Sequence, residues 1–409
     1  MDSHYSVIIV GGGQAGLSLS YLLKQQNIRH IIFEKNKIGH AWQNQRWDSF
    51  CLVTPNWQCR LPGFPYAGGD DQGFMQKEKI VQYLQDYVAF FNPPIREGVG
   101  VTRLAQRSPS GFEVTTSDGV YTADQVVIAT GGYHKPKIPA IASQLPETIQ
   151  QLHSVNYKNP ESLPDNILIV GTGQSGCQIA EDLHLAGKTV HLATGSAPRA
   201  PRRYRGKDVV EWLELMGYYD LPIDEHPQKD KVRHKTNHYV TGRDGGREID
   251  LRKFALEGMN LYGRLETIQD GQFTFADDLK ANLDQADATV ARIKKNIDDY
   301  IESKNLDAPT EEPYQPVWEP ENPSQSIAVS DVDAIIWSTG FHFNYGWVDL
   351  PAFDELGEPV HERGVSELDG LYFLGLPWLY TWGSGRFSGV ARDAEYLAGK
   401  ISQKIPALF

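Results

Sequence analysis

The chain reads as an α/β protein of two Rossmann-like dinucleotide-binding units, the second inserted into a discontinuous first. Three observations predict this. A glycine fingerprint (Gly11, Gly12, Gly13, Gln14, Ala15, Gly16) follows a β-branched run at 6–10, and a second copy (Gly171, Thr172, Gly173, Gln174, Ser175, Gly176) follows the run Asn166–Val170, 160 residues later. An apolar strand ending in Thr-Gly stands before the second copy, with Ala129, Thr130 and Gly131, and recurs long after it, with Thr339 and Gly340. The chain is therefore expected to leave its first unit, build a second and return. Residues 1–145 and 326–409 would form one domain and 146–325 the other.

Each fingerprint opens a helix-like stretch, at 17–25 and 177–186. In that strand, turn and helix setting the first glycine makes the tight turn and the second lets backbone approach a pyrophosphate. The third lets helix pack on strand, and the helix N-terminus offers free N–H groups to the anion. Alternating residues at 112–116 and 119–122 predict a hairpin. The segment 276–303 carries Leu279, Leu283, Ala286, Val290, Ile293, Ile297 and Ile301 at spacings of three and four, an amphipathic helix in an insertion around 276–305. It is read as packing on a domain surface, with a homodimer seam as the other reading. Residues 308–320 are proline-rich and read as a connector or flap. The C-terminal part gives a strand at 370–375, a turn holding Trp378, Tyr380, Trp382 and Gly389, and a helix at 390–402.

The two units differ where the second strand of each ends. Eighteen residues after Gly16 stands Glu34, whose carboxylate can accept hydrogen bonds from ribose hydroxyls and would repel a 2′-phosphate. Eighteen residues after Gly176 stands Thr194 instead, followed by a basic run with Arg199, Arg202 and Arg203. Guanidiniums suit a phosphate monoester. The first site therefore reads as one for FAD and the second as one for NADPH. The basic run has other readings, a solvated surface or a nucleic-acid patch. A net charge of −13 argues against nucleic acid as a partner.

Composition narrows the class. No run of about eighteen apolar residues suggests a transmembrane segment, and a cytoplasmic protein is expected. Cys51, Cys59 and Cys177 form no CxxC, which disfavours electron transfer through a dithiol. His234 and His238 are four apart with His226 nearby, but no HExxH glutamate or thiolate accompanies them, so no metal is expected.

With these motifs the chain resembles the flavin-containing monooxygenase-like flavoproteins. The resemblance rests on both fingerprints, Glu34, the run from Gly39 to Trp42, the Thr-Gly strand ends and the basic run after Thr194. Where that family carries FxGxxxHxxxY/F, this chain keeps His153 and Tyr157 but has Glu147 and Ile149 for Phe and Gly, the mark of a divergent bacterial-type branch. For His153 a structural role linking the domains is favoured over proton transfer. The resemblance implies that FAD is reduced by NADPH, takes up O2 and, as a C4a-hydroperoxide, oxygenates a small organic substrate at nitrogen, sulfur or a ketone. It implies cofactor contacts from Lys35, Trp42, Thr54, Val101 and Gly389 beside the fingerprint residues. Asn56, in a segment resembling the one along the flavin ring, is the catalytic candidate; a turn-forming Asn after Pro55 is the equal alternative. Two other functions stay open: an NADPH-dependent reductase without oxygen insertion, and a non-catalytic flavin-binding regulator.

Overall fold

The strand His4–Val10 sits at the centre of the first sheet, its last four residues buried, between the parallel strands His30–Glu34 and Gly119–Ile128. Ile95–Glu97 extends the sheet beyond His30–Glu34. This is a computed structural model, and it describes residues 3–405. The hairpin expected at 112–122 is present, but its second strand does not stop there. Gly119–Ile128 is one strand of 10 residues. Its first half pairs antiparallel with Phe112–Thr116, and its second half runs parallel to both His4–Val10 and Leu371–Phe373. The helix Gln14–Gln25 covers one face, and the C-terminal helix Val390–Ser402 lies against it, burying Val390, Ala394, Leu397 and Ile401 with Leu19 and Leu23. Each of the Val, Leu and Ile side chains contributes about 1.5–3 kcal/mol on leaving water.

The second sheet is all parallel, in the order Gln150–His153, Ala334–Trp337, Asn166–Val170, Thr189–Ala193, Asn260–Tyr262. This moves the expected boundary at 326. Ala334–Trp337 belongs to the inserted unit, as does Ser326–Ala328, which closes a small antiparallel sheet with Gln272–Phe275. The reason is physical: Ala334, Ile335, Ile336 and Trp337 are all fully buried, and a strand without a polar face needs parallel neighbours and cover on both sides. The chain rejoins the first sheet only beyond Gly340, with Val348–Asp349 beside Val101–Gln106. The two crossings run side by side, Lys135–Pro136 pairing antiparallel with Phe341–His342.

The amphipathic segment is the helix Leu279–Lys304. Leu279, Leu283 and Ala286 enter the core of the second unit, while Ile297 and Ile301 pack with Tyr204 and Trp212. Its apolar stripe is thus used within the chain, as the surface-packing reading requires. The proline-rich stretch is tied down: Arg252 donates to the Trp318 carbonyl at 2.8 Å, and the Tyr314 hydroxyl donates to Asp250 at 2.8 Å. It is a strapped connector.

Candidate nucleotide cleft

The two fingerprints fold into the same object. Gly11 and Gly171 take φ of +108° and +104°, and a methyl on either would lie 2.6 Å from Ala129 O or 2.7 Å from Ser338 O. A methyl on Gly16 would lie 2.0 Å from Gly11 O, and one on Gly176 would lie 1.9 Å from Gly171 O. So each unit has its own adjoining strand end, Ala129 to Gly131 in the first and Ser338 to Gly340 in the second. That corrects the placement of Thr339 and Gly340 in the first domain. Space is left only where a ligand needs it: a methyl on Gly13 meets nothing within 4 Å, and one on Gly173 meets only Thr236 at 3.7 Å. The helices Gln14–Gln25 and Gln174–Leu185 begin at Gly13 and Gly173 without a side-chain cap, so their first N–H groups, on Gln14, Ala15, Gly16 and on Gln174, Ser175, Gly176, remain for an anion.

Beyond the glycines the units diverge. Glu34 accepts from Gly12 N at 2.7 Å and Asn36 N at 2.8 Å, which fixes its carboxylate beside the first turn. Exposed Lys35 packs beside Gly100, next to Val101. In the second unit Thr194 donates to Tyr262 O at 2.8 Å and accepts from Asn282 at 3.2 Å, with no acid at that strand end. The basic run departs from expectation. Arg199 is buried under the Tyr314 ring among Glu248, Asp250 and Asp287, and these acids raise its pKa against the opposing cost of burial. Arg202 is buried too, paired with Asp208 and donating to Val53 O at 2.8 Å. Neither guanidinium is available to a phosphate. Arg203 is exposed, donating to Gly245 O at 2.8 Å and Gly246 O at 3.2 Å.

The C-terminal turn and residues 236–237 approach the second fingerprint: a methyl on Gly173 would face Thr236 at 3.7 Å, and Arg386 of the turn donates to Asn237 at 3.0 Å. Half-buried Trp42 stacks on Phe387 at 5.6 Å between ring centroids. Gln14 donates to Gly385 O at 2.9 Å, tying the first fingerprint to the turn. A methyl on Gly389 would lie 2.7 Å from Gly383, so this turn tolerates only glycine there. Thr54 is half-buried. Gln58 is wholly buried, and neither end of its amide has a partner. An unpaired buried amide costs about 1–3 kcal/mol per group, which a bound polar ligand would relieve. Asn56, the catalytic candidate, also anchors its loop. Its amide donates to Asp70 O at 2.9 Å and accepts from Met75 N at 2.8 Å, closing the loop at both ends.

The signature residues are structural as well. His153 donates through Nε2 to Gly340 O at 2.9 Å and accepts from Val155 N at Nδ1, which sets its tautomer at the crossing between units. Burial holds its pKa down, so the ring is neutral. Tyr157 donates to Asp182 at 2.7 Å; the same carboxylate accepts from Ser49 at 2.7 Å and from Arg243, joining the first wall to the second unit. Ile149, standing where the family has Gly, is buried among Ile335 and Trp337. Burial pushes the Cys51 thiol up to about 11 and the Cys59 thiol up to about 12, and it raises Cys177 as well. Among the described residues no group of three His, Cys, Asp or Glu side chains gathers to hold a metal ion, and no helix is long and apolar enough to cross a membrane. The residues that the motifs did not reveal are Arg46 and Arg386. Both are half-buried and held over Trp42 and Trp382.

Residues 8–289 match the family model described as pyridine nucleotide-disulphide oxidoreductase. An uncharacterized CzcO-like oxidoreductase of Geobacillus kaustophilus is 34% identical over 406 residues, covering 98% of this chain and 99% of its own. The oxidoreductase CzcO of Bacillus subtilis is 31% identical over 408 residues, covering 97% and 99%. Among solved structures, a flavin-containing monooxygenase from Stenotrophomonas maltophilia matches with a TM-score of 0.66 over 98% of this chain and 99% of its own, at 20% identity, a likeness of fold. The chain belongs to the pyridine nucleotide-disulphide oxidoreductase family and is an oxidoreductase.

Proposed function

We propose that this oxidoreductase is an FAD-dependent, NADPH-using monooxygenase of small organic substrates, inserting oxygen at nitrogen, at sulfur or beside a ketone carbonyl. The observation that carries it is the pair of matched glycine cradles with opposite chemistry at the second strand end: fixed carboxylate at Glu34, neutral hydroxyl at Thr194. Gly11, Gly13 and the N–H groups of Gln14, Ala15 and Gly16 would hold the FAD pyrophosphate, Glu34 its ribose, and Lys35 and Val101 its adenine side. Trp42, Thr54, Thr130, Gly131 and Gly389 would border the ring. Gly171, Gly173, Gln174, Ser175 and Gly176 would hold the NADPH pyrophosphate, and Arg203 would meet its 2′-phosphate. When bound, the two cofactors supply hydride transfer and oxygen activation.

The protein's part is placement and exclusion of water. Half-buried Trp42, Phe50, Trp57 and Trp382 would give the site apolar surface, which protects reactive species from solvent. The thiols support oxygenation over a thiol–disulfide reaction, because the nucleophile there is the thiolate and burial disfavours it at all three cysteines. The test is NADPH oxidation by FAD-loaded protein under labelled oxygen with a panel of amines, thioethers and ketones. Label in a product is expected. NADPH consumption with unlabelled products would make the protein a reductase. Bound flavin that NADPH does not reduce would make it a regulator.

A further inference from the structure

Two half-buried guanidiniums lie over aromatic rings without a carboxylate partner among the described residues. Arg386 donates from Nη2 to Asn237 Oδ1 at 3.0 Å and from Nη1 to Trp382 O, with Cζ 4.0 Å from the Trp382 ring centroid. Arg46 donates to Gln45 O at 2.8 Å, and its Cζ lies 5.2 Å from the Trp42 centroid and 5.4 Å from that of Phe50. The stacked pair of Trp42 and Phe387 joins the two positions, and the Tyr133 phenol is an electrostatic neighbour of both. The other charged or titratable neighbours are Lys158 beside Arg46, and Tyr218 and Tyr219 beside Arg386. Among the described residues neither arginine forms an ion pair, although the chain has 52 acidic residues against 39 Lys and Arg. Elsewhere in the fold, buried arginines such as Arg199, Arg202 and Arg252 are surrounded by acids.

A desolvated guanidinium without a counter-ion costs several kcal/mol. Aromatic floors hold its plane and leave N–H edges free, the arrangement that receives a planar oxyanion bidentately. We propose that Arg46 and Arg386 form a receptor for a substrate carboxylate, so that the enzyme acts on small organic acids whose apolar body lies against Trp42, Phe50 and Trp382. This rests on the monooxygenase reading for the reaction, but not for the binding.

The test is titration calorimetry on FAD-loaded protein with matched neutral and anionic probes: phenylacetate against phenylacetamide, and 3-phenylpropanoate against its amide. Each acid is expected to bind at least tenfold tighter than its amide. Arg386→Gln and Arg46→Gln are each expected to erase that preference, while Arg386→Lys keeps part of it. Flavin content and circular dichroism identify a variant that has not folded, and the parent comparison then decides alone. Equal binding of acid and amide by the parent overturns the proposal. So does loss of NADP⁺ binding in the Gln variants with the acid preference intact, since the guanidiniums would then serve the dinucleotide phosphates. Selective acid binding without oxygen insertion would defeat the monooxygenase reading alone; oxygenation of neutral substrates with indifference to acids would defeat this one alone.

Discussion

Asp393 lies in the first turn of the C-terminal helix, 1% exposed. Burial pushes its pKa up from 3.8 to about 6, and the Ser384 hydroxyl with Arg363 and Arg392 offsets only part of that. For an acid raised in this way, the folded state keeps a proton that the unfolded chain has already released. Stability therefore falls as pH rises from about 4 through about 6, and the full cost is present above that window. Two pKa units and a little more, at about 1.4 kcal/mol each, put that cost at roughly 3 kcal/mol at pH 8 and about half as much at pH 5. Asp393→Asn keeps the shape and removes the charge. Its stability gain over the parent should be largest at pH 8 and shrink by about half at pH 5. Urea unfolding of the flavin-loaded protein at pH 5, 6, 7 and 8 measures this. A gain that does not change with pH, or an Asn variant less stable than the parent at pH 8, would show that the carboxylate is compensated by a partner and that burial is not the controlling cause.

The remaining predictions use the two cradles and the basic run. Gly16→Ala places a methyl 2.0 Å from Gly11 O and should yield protein that loses FAD on gel filtration. Gly176→Ala, with its clash at 1.9 Å, should stay yellow and bind NADPH at least tenfold more weakly by flavin-quenching titration. If Gly176→Ala is the one that bleaches, the cofactors are assigned to the wrong units. Arg202→Ala leaves Asp208 buried without its partner and should destabilise by about 3–5 kcal/mol while lowering NADPH and NADH affinity alike. A loss confined to NADPH would return Arg202 to the phosphate site.

Features whose need is local were legible in the sequence. Gly11 and Gly16 announce themselves because a side chain there collides with backbone only a few residues or one strand away. Asn166–Val170 and Val390–Ser402 fall where pattern and glycine punctuation place them. What stayed hidden depends on partners far along the chain. An apolar run such as Ala334–Trp337 declares burial but not which sheet completes it, so its strand end was assigned to the wrong unit. Arg199 and Arg386 look alike as letters, yet one lies among Glu248, Asp250 and Asp287 and the other over an indole with no acid near. Charge is written in the sequence; whether it has been neutralised is not. The same asymmetry explains why a basic run of several arginines drew attention as a phosphate clamp while Arg46 and Arg386, 340 residues apart, did not. Folding pairs most of that run with acids and brings the two isolated arginines to one aromatic wall, where their charge is left to a ligand.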